Sequence, residues 1–418
     1  MSRDALITGL DVGSTSIRLV VGQVVASKQR DEEQQLQIIG AIDVPTEGIH
    51  RGSVTSIDDA VESLSSARDK AERLVGMPID HVFVGISGPY IIAQPSKGVI
   101  AVSRADGEIQ EEDIERVIEA AQAVATPPNY EILHVIPRSF TVDHQTGVKD
   151  PLGMTGVRLE VDAQIILGLS SHLKNITKAV YRTGVDIDDL VLSTFAAAES
   201  VLTKRQKELG VALVNIGGGT TSVAVFEEGD VLHVGTIPIG SGHITSDIAI
   251  GLRTSIEVAE ELKREYGSAT PEKIAKKDDI TLEAFGEGEG NVVSRKHLAE
   301  IIQARLEELF DRIDKELKKV DRSGLLPAGV VLTGGGSKLQ GIVDAAKQSL
   351  RLPATLGYPQ EVTSALEKIH DPAFAVSLGL VLWGYALSKD RPKTFLPRFS
   401  AVSQVTKRMK DLFKSLFS

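Results

Sequence analysis

The same local pattern occurs twice in this chain, once near the N-terminus and once near the middle. In both copies an apolar run leads to a polar residue, then to a glycine turn with small hydroxyl side chains, and then to a second β-branched run. The copies are LITGLDVGSTSIRLVVG (6–22) and ALVNIGGGTTSVAVF (212–226). Glycines at such turns carry an entropic cost and are kept where the backbone takes positive φ or approaches another group closely. The repetition therefore predicts two matching β-hairpins.

Both turns are candidate anion sites. Asp11 in the first copy matches Asn215 in the second, and Gly13 matches Gly217. Free N–H groups at a glycine turn form a concave anion site, for which phosphate is the usual ligand. One such turn alone is equally typical of a plain hairpin, but a third glycine run, VVLTGGGSK (330–338), follows another apolar strand. Two hairpins from two halves and a third loop can close on one nucleotide from both sides.

Length and composition narrow the classes of protein. A chain of 418 residues is too long for one core and favours two lobes, each subdivided. The absence of cysteine excludes disulfides and thiolate metal sites, and the net charge of −11 argues against nucleic-acid binding. We expect no N-terminal signal, because a strand follows Arg3 and Asp4 directly. The longest apolar stretch (375–387) is too short to span a bilayer.

The chain also suggests an inserted module. Between 88 and 168 short predicted strands (90–93, 98–102) and a helix (110–125) surround a turn-rich segment, which is typical of a small α+β module. Elsewhere, helical periodicity covers 58–75 and 295–320, where we interpret the apolar stripe as core packing. The charged, glycine-containing segment 273–291 is predicted to be mostly loop.

The C-terminal tail differs in charge from the rest of the protein. Residues 389–418 carry +6 and the remainder −17. Pro392 and Pro397 disfavour regular structure and predict a linker. Beyond it, apolar residues with helical spacing form one stripe with basic residues beside it, as expected for a helix in an anionic membrane interface, although docking on the body or in a partner's groove is the alternative. The stripe is Val405, Met409, Leu412, Phe413, Leu416 and Phe417, and the basic residues are Lys407, Arg408, Lys410 and Lys414.

Together these residues resemble the actin, Hsp70 and sugar-kinase superfamily. Within it the sequence is similar to the FtsA family, bacterial cell-division proteins that tether FtsZ filaments to the membrane. The most specific segments are GSGHITSDIAIGLRTSIEVAEELKREYG (240–267) and VSRKHLAEIIQARLEELF (293–310), and the similarity runs nearly end to end. It implies an α/β, two-lobed, actin-like ATPase fold with duplicated βββαβα-type lobes, a small inserted α+β subdomain and a C-terminal amphipathic helix.

The resemblance also implies domain boundaries. The first lobe core (subdomain 1A) would comprise 1–87 and 168–190, and the inserted subdomain (1C) 88–167. The second lobe core (2A) would comprise 191–229 and 318–387, with subdomain 2B at 230–317. A flexible linker (388–401) would precede the membrane-targeting helix (402–418).

The resemblance places ATP and Mg²⁺ in the interlobe cleft. Asp11 would hold Mg²⁺ through water, since Mg²⁺ keeps most of its hydration shell. Glu260 and Lys263 share a helix face and would contact ribose and adenine, an exposed ion pair being the alternative. The predicted nucleotide-binding set is Asp11, Gly13, Ser14, Thr15, Ser16, Arg18, Asn215, Gly217, Gly218, Gly219, Thr220, Gly242, Glu260, Lys263, Gly334, Gly335, Gly336 and Ser337.

Hydrolysis is where the sequence departs from the family pattern. The second hairpin opens with the neutral Asn215 where relatives usually have Asp, and Ser193-Thr194 stands where Glu-Pro is common. Loss of a carboxylate that orders Mg²⁺ or its water removes transition-state stabilisation. We therefore expect tight ATP binding with slow or no hydrolysis, with Glu199 as a weak candidate for a substitute acid. His134 and His243 have no ligand partners at metal-site spacing and are interpreted as structural.

The resemblance predicts a cell-division protein rather than a metabolic enzyme. Its implied partners are FtsZ, bound through the 230–317 region, further copies of itself in filaments, an anionic membrane surface and other divisome proteins. The implied location is the cytoplasmic side of the cell membrane at the division site. The alternatives are a pilus-assembly-type actin-like adaptor and, less favoured because of the missing acid and the tail, a sugar or carboxylate kinase.

Overall fold

The computed structural model describes residues 6–25, 35–123, 126–275, 277–285, 292–360, 362–364 and 366–388. The strands are β1 (Leu6–Val12), β2 (Ser16–Val25), β3 (Gln35–Pro45), β4 (Ile49–His50), β5 (Ser53–Val54), β6 (His81–Ile86), β7 (Ile91–Ala101), β8 (Tyr130–Val142), β9 (Gln145–Val148), β10 (Arg158–Leu169), β11 (Asp186–Leu192), β12 (Val211–Ile216), β13 (Thr221–Glu227), β14 (Asp230–Ile237), β15 (Asp279–Thr281), β16 (Val292–Ser294), β17 (Val330–Thr333), β18 (Ala354–Leu356) and β19 (Thr363–Ser364). The α-helices are α1 (Ile57–Val75), α2 (Glu111–Ala123), α3 (Ser170–Tyr181), α4 (Ser193–Val201), α5 (Lys204–Leu209), α6 (Ser241–Leu252), α7 (Ile256–Tyr266), α8 (Arg295–Lys318), α9 (Ile342–Leu350) and α10 (Ala375–Ser388).

Two sheets with one topology form the body of the protein. In the first, β1, β2 and β3 form an antiparallel meander, and β6 and β11 extend it in parallel from β1. In the second, β12, β13 and β14 form the meander, and β17 and β18 extend it in parallel from β12. The strand orders are β11-β6-β1-β2-β3-β19 and β14-β13-β12-β17-β18. The duplication predicted from the repeated glycine turns is therefore confirmed.

The inserted module is a four-stranded antiparallel sheet, β7-β10-β8-β9, with α2 on one face. Its core contains Ile114, Val117 and Ala121 of α2 packed on the sheet. Ser96 also joins the layers, since its hydroxyl donates to the Ala121 carbonyl at 2.7 Å. The two short strands predicted at 90–93 and 98–102 are in fact one strand of eleven residues, β7.

Helix α8 lies in the region predicted as subdomain 2B, and its apolar periodicity follows its burial. Leu298, Ile302, Leu306 and Phe310 are all buried in the second-lobe core with α6 and α7, so the stripe serves core packing, as predicted. Ser294 caps α8 by accepting a hydrogen bond from the His297 N–H. The prediction of loop over 273–291 was incomplete, because β15 and a 3₁₀ turn fall within it.

Helix α10 departs from the predicted lobe assignment. It was predicted to belong to the second lobe core, yet it packs on β1, β2 and β6 of the first sheet and on α4, which contacts strands of both sheets. A Cβ at Gly379 would overlap the Ala196 carbonyl, and one at Gly9 would overlap the Ser377 carbonyl, so glycines allow α10 to lie directly on both elements. The chain thus returns to the first lobe after completing the second sheet.

No helix within the described ranges is long and apolar enough to cross a bilayer. The predicted linker (388–401), apart from Ser388, and the predicted membrane-targeting helix (402–418) lie outside the described residues.

A buried polar cluster lies where α10 covers the first sheet. His134 is fully buried, its Nε2 accepts a hydrogen bond from the Leu192 N–H at 3.0 Å, and burial lowers its pKa to about 3. Trp383 packs edge-on against His134 and donates its indole N–H to Asp189 at 3.3 Å. The structural interpretation of His134 fits this setting, since a neutral imidazole is required there.

Asp189 makes the stability of the fold dependent on pH. Burial raises its pKa from 3.8 to about 7, with the hydrogen bond from Trp383 acting in the opposite direction. Between pH 4 and 7 the folded state keeps a proton that the unfolded chain releases, so the free energy of unfolding falls as pH rises through this window. We expect Asp189→Asn to raise the free energy of unfolding at pH 8 by about 1 kcal/mol or more and to change it little at pH 4.

Urea denaturation at the two pH values measures this difference. Asp186→Asn is the matched control, because Asp186 is an exposed residue of the same strand. An equal effect of Asp189→Asn at pH 4 and pH 8 would contradict the prediction.

Candidate functional site

The turns of the two matching hairpins touch one another. A Cβ added to Gly218 would collide with the Thr15 side chain, and one added to Gly219 would lie 2.9 Å from Ser14 Oγ. The first turn comes from the first sheet and the second turn from the second sheet. Glycine is thus needed at the second turn so that the backbones of the two lobes can approach. The predicted meeting of the turns is found in the structure.

The turns also present uncommitted backbone donors. Within each hairpin one N–H is used locally, since Gly13 donates to the Ser16 carbonyl at 3.1 Å and Gly217 to the Thr220 carbonyl at 2.9 Å. In the described part of the chain no backbone hydrogen bond uses the N–H groups of the four residues at the turn centres. These residues are Ser14, Thr15, Gly218 and Gly219. Donors grouped in this way favour an anion.

The second turn is supported from behind by the start of α6. The N–H groups of Ser241 and Gly242 donate to the carbonyls of Gly217 and Gly218 at 2.9 and 2.8 Å. A Cβ at Gly240 would lie 2.5 Å from the Gly218 carbonyl oxygen. The Gly242 N–H is therefore used in positioning the turn and is not available to a ligand, and the predicted place of Gly242 in the nucleotide-binding set stays a prediction.

The third glycine loop packs on the second turn. Gly334 has φ of +84°, and a Cβ there would collide with Asn215 Oδ1. A Cβ at Gly336 would meet Ile216, whereas Gly335 faces open space. Of the three glycines only Gly335 leaves room for a ligand, and the other two permit close packing of protein on protein.

Asp11 occupies the end of β1, next to the first turn. Burial raises its pKa from 3.8 to about 6, the charge of Arg18 opposes the increase, and Asp43 adds to it. Arg18 lies directly opposite Asp11 in the strand register and forms an ion pair with Asp43 at 3.4 Å. Because burial makes the Asp11 carboxylate costly to ionise, a nearby cation would strongly stabilise its charged form.

The Glu260–Lys263 pair of α7 is fixed to α6. Lys263 Nζ lies 2.5 Å from Glu260 Oε2 and 2.8 Å from Thr245 Oγ1, and Thr245 also donates to Glu260 at 2.5 Å. Burial lowers the pKa of Lys263, and Glu260 opposes that effect. The pair therefore differs from the exposed ion pair considered as the alternative, because Lys263 is buried and only Glu260 is partly exposed.

The side chains of two predicted residues are engaged by other groups of the protein. Ser337 is fully buried, and its hydroxyl donates to the Gly334 carbonyl at 2.7 Å. Glu199 pairs with Lys207 at 2.7 Å, and Lys207 lies over the Phe226 ring. Phe226 is five residues along β13 from the turn, about 17 Å at the rise of a strand. Glu199 is thus far from the turns, and its candidacy as a substitute acid is corrected.

Ser193 and Thr194, where relatives often have Glu-Pro, are buried. Neither hydroxyl has a hydrogen-bond partner among the described residues. A Cβ at Gly85 would lie 3.1 Å from Ser193 Oγ, and Gly85 is paired with Asp11 across the sheet. The unpaired Ser193 hydroxyl therefore lies one strand away from Asp11.

Sequence reasoning missed Arg51 and Gly52, at the tip between β4 and β5. The Gly52 N–H donates to Ser14 Oγ at 3.0 Å, and Arg51 Cα would lie 3.0 Å from a Cβ at Gly219. The only signal in the sequence is the glycine after Arg51, which is a common turn residue. In the described part of the chain no group of three His, Asp or Glu residues could hold a metal, so a cation here would depend on Asp11 and water.

Duplicated sheets whose hairpin turns meet at one point define an actin-like protein with an interlobe cleft. Solved structures agree on the fold. A PilM–PilN type IV pilus biogenesis complex has a TM-score of 0.65 at 18% identity, with 91% of this chain and 99% of that chain covered. MreB 5 of Spiroplasma citri bound to AMPPNP has a TM-score of 0.54 at 12% identity, with 93% and 98% covered.

The chain belongs to the FtsA family of cell division proteins. The family model "Cell division protein FtsA" matches residues 212–379, and the model "SHS2 domain inserted in FTSA" matches residues 88–167. FtsA of Pseudomonas aeruginosa is 38% identical over 385 residues, which are 92% of this chain and 90% of that protein. The resemblance read from the motifs is therefore confirmed, and the sugar-kinase and pilus-adaptor alternatives are set aside.

The support of the second turn can be tested at Gly240. An added methyl group would separate α6 from the carbonyls of Gly217 and Gly218, so we expect Gly240→Ala to destabilise the protein by about 1–3 kcal/mol. Gly335→Ala is the matched control, since it adds the same group where no atom lies within 4 Å. Urea denaturation measures both variants, and equal stability of the two would contradict this account of the turn.

Proposed function

We propose that this FtsA-family protein binds ATP with Mg²⁺ between the two glycine turns. The observation that carries the proposal is the contact between the turns, with four uncommitted N–H groups at their centres. The solved MreB neighbour is bound to AMPPNP, an ATP analogue, in the same overall fold. On this proposal Gly335, Glu260 and Lys263 lie on the nucleoside side, as the resemblance to the family implies.

The residues present fit Mg²⁺ held through water. Asp11 is a carboxylate whose ionisation burial disfavours, so a divalent cation compensates its charge. The unpaired hydroxyls of Ser193 and Thr194 are suited to accept or donate hydrogen bonds to water around such an ion. A bound cation would supply charge neutralisation to the phosphates, and the chain's own part is to orient its water shell.

We further propose that ATP turns over slowly or not at all. At the second turn the side chain is the neutral Asn215, and it packs on Gly334. The position where relatives often carry Glu holds Ser193, and Glu199 is paired with Lys207 on the far side of the hairpin. Without a carboxylate to position the attacking water, hydrolysis loses a contribution on the order of 10²-fold or more. ATP then acts as a ligand that favours one arrangement of the lobes.

Calorimetric titration of ATP tests the nucleotide site. We expect the wild-type protein to bind Mg·ATP, and Asp11→Asn to weaken that binding at least 10-fold while leaving binding in EDTA unchanged. Asp43→Asn is the control, because it removes a neighbouring charge one strand further from Asp11.

The same samples give the turnover rate. We expect hydrolysis well below the rates of about 1–10³ s⁻¹ typical of enzymes. Equal affinity of the wild type and Asp11→Asn for Mg·ATP would contradict the metal assignment, and enzyme-like turnover would contradict the role of ATP as a structural ligand.

We also propose that the protein polymerises on the cytoplasmic face of the membrane and tethers FtsZ filaments at the division site. The tail (402–418), with its apolar stripe and flanking basic residues, would supply the membrane contact. Each basic residue would add roughly 1 kcal/mol of attraction to an anionic surface. The 230–317 region would bind FtsZ. It carries large exposed apolar side chains at Ile250 and Ile256, 77% and 51% exposed, as is typical of docking surfaces.

Sedimentation with anionic liposomes tests the tether. We expect Phe413→Asp with Phe417→Asp to abolish co-sedimentation of the protein, and of FtsZ through it. Two negative charges would then replace the apolar rings proposed to enter the membrane interface. The matched control is Gln404→Asp with Ser415→Asp, which adds the same charges on the opposite face of the predicted helix, off the apolar stripe. Solution binding of FtsZ should survive in both variants. Continued liposome binding by the Phe variant, or equal loss in the control, would contradict the stripe as the membrane face.

A further inference from the structure

The β4–β5 tip (residues 50–52) is held against both lobes at the point where the glycine turns meet. Gly52 donates its N–H to Ser14 Oγ at 3.0 Å, and a Cβ on Gly52, whose φ is +76°, would overlap the Ser87 carbonyl. The backbone of the tip is therefore fixed between the first turn and the start of the inserted module. Arg51 Cα stands against Gly219 of the second turn. The Arg51 side chain itself is exposed.

The Arg51 guanidinium reaches the opposite lobe. Its Nη2 lies 3.1 Å from Nε2 of His243, in the first turn of α6. With the ring proton on Nδ1, which donates to the Gly240 carbonyl at 3.3 Å, Nε2 accepts the hydrogen bond from Arg51. Burial lowers the pKa of His243, and the charge of Arg51 lowers it further. The imidazole is thus neutral at pH 7, and it does not neutralise the guanidinium.

Arg51 differs from the other cations around the cleft in having no carboxylate partner among the described residues. Arg18 pairs with Asp43, Lys338 with Asp371, Lys263 with Glu260, and Arg305 with Asp247. Among the described residues Arg51 has the neutral His243 as its side-chain partner and forms no ion pair with a carboxylate. An exposed guanidinium without a counter-ion, beside four uncommitted N–H groups, is suited to bind a phosphate oxygen.

The phosphate concerned follows from the direction of the nucleotide. Gly335 and the Glu260–Lys263 pair lie on the second lobe, whereas Arg51 comes from the first lobe and meets the cleft where the turns touch. If the nucleoside lies against the second lobe, the end of the phosphate chain lies at the turns. This step rests on the proposed binding of ATP between the turns.

We propose that Arg51 binds the third phosphate of the nucleotide, and that His243 holds the same guanidinium when only a diphosphate is bound. The site would then distinguish ATP from ADP through a residue that bridges the lobes. The tip also contacts Ser87 at the start of the inserted module. Arg51 would therefore change between His243 and the third phosphate next to that module.

Titration calorimetry with Mg²⁺ and either AMPPNP or ADP tests the proposal. We expect Arg51→Ala to weaken AMPPNP binding about 10-fold or more and to change ADP binding less than about 2-fold. Arg51→Lys keeps the charge and should recover part of the AMPPNP affinity. Arg253→Ala is the matched control, because Arg253 is an arginine in the same left-handed region, with φ of +54° against +48° for Arg51, and it ends α6. It should leave both affinities unchanged.

The outcomes separate this inference from the proposed function. If the wild type binds neither nucleotide, the proposed function is wrong and the inference with it. If the wild type binds both and Arg51→Ala weakens them equally, or weakens neither, nucleotide binding stands and the assignment of Arg51 to the third phosphate is overturned. Circular dichroism melting of each variant identifies any loss of affinity that comes from unfolding.

Discussion

The two lobes meet through backbone, and that close approach determines how the rest of the cleft is built. Where Gly218 and Gly219 face Thr15 and Ser14 there is no space for a further side chain on the second turn. The carbonyls of the second turn accept hydrogen bonds from the start of α6, and the third glycine loop packs on the same turn. Glycines at these positions permit the loops to approach closely, and within the described residues four N–H groups at the turn centres have no backbone partner. A fold seldom leaves such donors unsatisfied unless solvent or a ligand meets them.

The first lobe depends on an element that arrives last in the chain. Helix α10 covers β1, β2 and β6, and it reaches them only after the second sheet is complete. It packs with α4 so closely that Gly379 lies on the Ala196 carbonyl. Helix α4 contacts strands of both sheets, so α4 connects α10 and the first lobe to the second. The buried Asp189–Trp383 hydrogen bond fastens the same helix to the first sheet.

The sequence predicted the fold well because its strongest signals are local. The repeated turns specify two hairpins, and their duplication fixes the order of the meander in both lobes. The assignment of α10 failed because an apolar helix does not encode which of two sheets it covers. The same limit explains Ser337 and Glu199: each has a suitable chemical group, but the hydroxyl of one is used by Gly334 and the carboxylate of the other by Lys207. Arg51 was missed because its partners are distant in sequence and its only local signal is a turn glycine.

On the proposed function, a cleft of this construction would favour binding over catalysis. The donors at the turns would recognise an anion in its ground state, whereas acceleration requires groups that bind the transition state more tightly. The strand end on the second lobe contributes the neutral Asn215, and the buried residues near Asp11 contribute hydroxyls, which orient water without accepting its proton at neutral pH. On the proposed function the nucleotide stabilises whichever lobe arrangement it contacts by RT ln(1 + [L]/Kd), roughly 2.7 kcal/mol at a hundredfold excess over Kd. That free energy is sufficient to bias the surfaces that meet in a filament, and it persists for as long as the ligand is not hydrolysed.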